Sequence, residues 1–115
     1  MSRTPVVDFH THLAPYDSIQ DSLVEWTYRL VGEDLERRHA LAASPDGAEQ
    51  ILDENGVDVA VVLADCHPLT TGITGNDRVA EYCAGRQRLI PFACINPHVH
   101  LHPAKELRPV WRSWA

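Results

Sequence analysis

Apolar positions in this chain fall into three short, nearly unbroken runs, at residues 5–10, 57–65 and 89–95. Runs of Val, Ile, Leu and Ala without a clean polar alternation predict strands covered on both faces, as in parallel sheets. Between them the spacing changes to a helical one. Residues 18 to about 39 place Ile19, Leu23, Trp26 and Leu30 on one stripe, with Gly32 as a break or cap. A second helix is expected from Ser44 as N-cap, with Pro45 in its first turn, Ala48, Ile51 and Leu52 inward, and Asn55-Gly56 closing it in a left-handed turn. A third runs from about 76 to 84 with Val79, Ala80 and Cys83 inward and Gly85 at its end. A fourth starts at Pro103, and Pro109 should interrupt it within two turns, before the Trp-bearing tail at 111–115. Strand, helix, strand, helix, strand predicts βαβ units in a parallel sheet, hence an α/β fold.

The candidate chemistry lies where each strand should end. His10 and His12 close the first run, and side chains two apart on a strand share a face, so the two imidazoles can grip one divalent metal ion, with zinc the natural choice. Asp8 shares that face and could add an oxygen ligand or orient a histidine. Asp65 and His67 follow the second run, and Asn96 and His98 the third. Ligands of parallel α/β sheets bind at the carboxyl ends of the strands, so all six belong to one rim. The set His98, His100 and His102 would share a face if extended, but Pro97 and Pro103 bracket it as a turn. His39, beside Glu36-Arg37-Arg38, reads as solvated surface, and Trp26 and Tyr28 read as packing residues.

Bulk properties narrow the function classes. At 115 residues, with 44% hydrophobic and 23% charged residues, the chain predicts one ordinary globular domain. A net charge of −6 without a basic stripe argues against nucleic acid as a partner. No apolar run approaches the roughly 20 residues of a membrane span. With no leader pattern either, the expected location is the cytoplasm. Cys66, Cys83 and Cys94 are odd in number and far apart, which predicts reduced thiols; Cys83 and Cys94 read as core, and Cys66 beside His67 as core, a metal ligand or a reactive thiol. Neither Gly72-Ile73-Thr74-Gly75 nor any other segment is a phosphate-binding loop.

Four blocks carry a family resemblance: Val7-Asp8-Phe9-His10-Thr11-His12, Gly56 to Leu63, Asn76 to Glu81, and Leu89 to Pro97. In order and spacing they resemble the opening third of the amidohydrolase-related metal-dependent hydrolases. The nearest branch is that of aminocarboxymuconate-semialdehyde decarboxylase and related carboxy-lyases. The resemblance implies that residues 1–115 are the N-terminal part of a TIM (β/α)8 barrel, its first three parallel βα units. It carries over His10 and His12 as metal ligands, joined in the family by a histidine from a middle strand and an aspartate from the last. It further implies hydrolysis or non-oxidative decarboxylation of a small organic acid, with His67 or His98 touching the anionic substrate. A barrel takes roughly 250 residues, so the expectation is a truncated product or a fragment. The alternative is a non-catalytic remnant, or a small partner-binding α/β module, with weak metal binding. Uncovered edges and apolar faces of a three-stranded sheet would leave such a chain marginally stable, prone to aggregate or self-associating.

Overall fold

The computed structural model describes residues 3–32 and 34–114, with side chains through Arg108. The chain order is β1 (Val7–Thr11), β2 (Ser18–Ile19), α1 (Asp21–Val31), α2 (Asp34–Ala42), α3 (Pro45–Glu54), β3 (Val59–Leu63), β4 (Asp65–His67), β5 (Gly72–Thr74), α4 (Asn76–Cys83), β6 (Leu89–Phe92) and α5 (Pro103–Trp114). The expected parallel sheet is present as β1-β3-β6, with β3 in the centre. A second sheet, β2-β5-β4, is antiparallel and was not visible in the hydrophobic pattern, because its strands are two or three residues long.

Helix α3 forms as its sequence dictates. The Ser44 hydroxyl accepts from the Gly47 N–H at 3.1 Å, Pro45 opens the first turn, and Gly56 leaves it at φ 65°, a backbone conformation that a side chain would strain. Its inner face carries Ala48 and Leu52 against β3, and α4 adds Val79, Tyr82 and Cys83. Along β3, Ala60 and Val62 point into this layer, and Leu89 joins them from β6. Arg88 anchors the amino end of β3 by donating to the carbonyls of Val57 and Asp58, both at 2.9 Å. The Asp58 carboxylate in turn accepts the Val6 N–H at 2.7 Å, fixing where β1 enters.

Several expectations change. β1 is not covered on both faces: Val7 is 51% and Phe9 69% exposed, and in β6 Ile90 and Phe92 are also exposed. The reason is the narrow sheet, in which only β3 has a strand on each side and the core helices pack on a single face. On the open face the Phe9 and Phe92 rings meet edge to face, centroids 5.9 Å apart. Because β1 and β6 sit two strand spacings apart, that contact lies over β3, where Val61 is buried. The long second segment splits into α1 and α2 at Gly32, and none of the α1 side chains is buried. Trp26, Tyr28 and Leu30 are exposed, so the expected inward stripe of α1 faces solvent. α5 runs on through Pro109, since losing one N–H bond and shifting one carbonyl can bend a helix without ending it. The side chains of the Trp-bearing tail lie outside the described residues.

Candidate functional site

The end of β1 departs from regular pairing. Val7 and Asp8 lie opposite Val59 and Ala60, but Thr11 lies opposite Val62, so the register shifts between Asp8 and Thr11. Such a bulge re-aims the side chains at a sheet rim. The Thr11 hydroxyl pins the shifted segment by donating to the Val61 carbonyl at 2.8 Å. His10 is inside the irregularity and His12 is one residue past the strand, yet their rings stand side by side, centroids 5.3 Å apart at 62°. The two imidazoles therefore come together at the carboxyl end of β1, though strict strand alternation does not bring them there.

β4 follows β3 almost directly and turns back on β5, with Asp65 opposite Thr74 and His67 opposite Gly72. Two N–H groups, from Thr70 and Thr71, close the turn on the His67 carbonyl at 3.0 and 3.1 Å. β2 adds itself across Gly72, where a Cβ would stand 2.2 Å from the Ser18 carbonyl oxygen and φ is 137°, so only glycine permits this approach. The small sheet thus stands on the carboxyl rim of the parallel one.

Asp65 is the polar centre of that rim. It is 5% exposed, and both carboxylate oxygens are used. Oδ1 lies 2.5 Å from His67 Nδ1, while Oδ2 accepts from the Thr71 hydroxyl at 2.6 Å and from the Tyr16 hydroxyl at 3.4 Å. Burial pushes the Asp65 carboxyl upward, but the hydrogen bonds from His67 and Thr71 outweigh it and hold the group below the usual aspartate value. An ionised carboxylate only accepts, so His67 Nδ1 carries the proton between them. Burial, with the Asp65 charge and hydrogen bond adding to it, pushes the Tyr16 phenol up to about 12. His12 remains exposed; desolvation lowers its imidazole from the ordinary 6.5, Asp65 opposes that, and His10 and His67 add to it.

His10, His12, Asp65, His67, Thr71 and Cys94 line one open hollow of about 440 Å³, at the carboxyl ends of β1, β3 and β6. A second hollow, about 310 Å³, lies on the far side of His12 and is walled by Leu13, Pro15, Tyr16, Ile19 and His39. His39 is exposed, as expected, yet its helix aims it into this concavity. A depression of about 640 Å³ between α4 and β6 is larger, but Glu81 is its single ionisable carboxylate.

The other candidates lie apart. The Asp8 carboxylate accepts the backbone N–H of His10 at 3.1 Å and is not among the residues lining the hollow. His98 is exposed in a turn closed on the Asn96 carbonyl, its N–H on the Asn96 side-chain oxygen at 3.0 Å, and it too lies outside the hollow. That turn separates His98, His100 and His102, so they share no extended face. His100 instead packs toward Cys66, Nε2 to Sγ 4.0 Å. Burial first, then the neighbouring Cys94, pushes the Cys66 thiol up, which makes it an inert, protonated thiol. All three cysteines are free. Tyr16 and Thr71 were missed in the sequence, since neither belongs to a strand end and only folding brings them to Asp65.

The donors at the rim suit a divalent ion in type, two neighbouring imidazoles, but among the described residues no group of three or more His, Cys, Asp or Glu side chains is placed to hold one. Compared with family models, with curated proteins and with solved structures, the chain matches none.

Proposed function

We propose that this chain carries the first three βα units of an amidohydrolase-type barrel, from a metal-dependent hydrolase or non-oxidative carboxy-lyase acting on a small organic acid. The observation that carries the reading is the convergence of His10, His12, Asp65 and His67 on one hollow at the carboxyl ends of three parallel strands. The sequential strand order and the core helices on one face agree with a stretch of barrel wall, whose open apolar face would be the barrel interior.

His10 and His12 are the ligands this segment supplies. A divalent ion held there would activate water or polarise a substrate carboxylate or carbonyl. His67, pinned by Asp65 through Nδ1, lines the same hollow and is the residue we assign to meet an anionic substrate. His98 is not among the side chains lining that hollow.

Zinc titration tests the reading. Stoichiometric binding that vanishes in a His10→Ala/His12→Ala double variant is expected; binding unaffected by that change would sink it. The absence of a third ligand among the described residues favours a second reading, a non-catalytic module with weak metal binding. Zinc retained through dialysis argues against it, and loss of zinc on dialysis argues for it.

A further inference from the structure

We propose that His67 is a proton-transferring catalytic residue of the 440 Å³ hollow, and that Asp65 is its positioning residue. The inference does not rest on the metal reading, because neither residue belongs to the His10–His12 pair.

Three segments converge to immobilise one carboxylate. Asp65 and His67 share a face of β4, two residues apart, and meet at 2.5 Å. Thr71, from the turn that the His67 carbonyl itself closes, and Tyr16, from the segment before β2, occupy the second oxygen. With its acceptors committed, Asp65 holds the His67 ring in one orientation and one tautomer. The free base nitrogen, Nε2, is then the one left for a molecule in the hollow.

A purely structural role accounts for this poorly. The His67 side chain is 56% exposed while its partner is 6% exposed. Ordering a ring that stays 56% exposed costs rotamer entropy, and most of its surface is not used in packing. A buried, fully bonded acid aimed at an exposed imidazole is instead the arrangement that makes an oriented base.

The test uses the chain itself, with chelator present so that metal plays no part. Long-range proton–nitrogen NMR at neutral pH should show His67 protonated at Nδ1, and Asp65→Asn should shift it toward Nε2 protonation. The reactivity probe is 4-nitrophenyl acetate. His67 Nε2 takes a proton from the water that attacks the acetyl carbon, 4-nitrophenolate leaves with the bonding pair, and the Nδ1 proton stays on the ring, held by Asp65. The acetic acid formed and the imidazolium each then release one proton to solvent, leaving acetate and the neutral ring. His67→Gln and Asp65→Asn should each slow nitrophenolate release about tenfold or more. His102→Gln, on an exposed surface residue, should leave the rate unchanged. His67→Gln changes an exposed ring and keeps the fold testable even if Asp65→Asn unfolds. A wild-type ring protonated at Nε2, or a rate indifferent to His67→Gln, overturns the proposal.

Discussion

The two faces of the parallel sheet come from the same three strands and end in opposite states. On one, Ala60, Val62 and Leu89 are sealed under α3 and α4 with essentially no exposure; on the other, Val7, Phe9, Ile90 and Phe92 stand open, with the Phe9–Phe92 contact roofing Val61. Apolar character is therefore no guide to burial here. What differs is the presence of a packing layer; the closed face should hold nearly all the stability, and any self-association should run through the open one.

The largest effect should come from the closed face. Leu89→Ala removes a side chain with 1% exposure and should cost about 2–5 kcal/mol, read as a lowered urea midpoint. A loss below about 1 kcal/mol would mean that the closed face is not the core.

The rim between the two faces should respond to pH. His12 is held below 6.5, so the unfolded chain takes up a proton near pH 6.5 that the folded chain refuses; stability present above that pH falls as the pH drops through it. Asp65 is held below 3.8, and its contribution is lost as the pH falls through 3.8 toward its folded value. Urea midpoints at pH 7.5, 5.5 and 3.5 should therefore fall in two stages, and stability rising on acidification would contradict both assignments.

A smaller loss is expected at the edge of the closed face. Ser44→Ala deletes the α3 cap and should cost about 1 kcal/mol by the same measurement.

The smallest effect on stability belongs to the open face. Phe9→Ser should change the urea midpoint by no more than about 1 kcal/mol, the worth of one aromatic pair, while reducing self-association in light scattering. Unchanged scattering would remove the open face as the associating surface.

Much of the scaffold was legible because local chemistry decides it. Ser44, Pro45 and Gly56 bound α3 through hydrogen bonding and backbone freedom that need no distant partner, and the continuous apolar run at β3 survives as the buried central strand. β1 was misjudged because burial depends on what lies across the sheet, which its own residues do not encode. The stripe on α1 failed for the same reason: Trp26 and Leu30 have the right spacing, but both side chains stay largely exposed. At the site, the strand-end positions of His10, His12, Asp65 and His67 were readable. The Tyr16 and Thr71 bonds to Asp65 were not, because the β2-β5-β4 sheet that gathers them is made of strands too short to leave a periodic signal.

By itself, then, the sequence determined the βα alternation, the Ser44 cap and the strand-end positions of His10, His12, Asp65 and His67, since each follows from spacing and side-chain chemistry within a few residues. Tertiary structure decided which sheet face is closed, that a register shift rather than simple alternation sets the His10–His12 pair, and that Asp65 orients His67. Those outcomes require groups some 50 residues apart in the chain to meet, as Thr11 and Val61 do, and only the folded sheet brings them together.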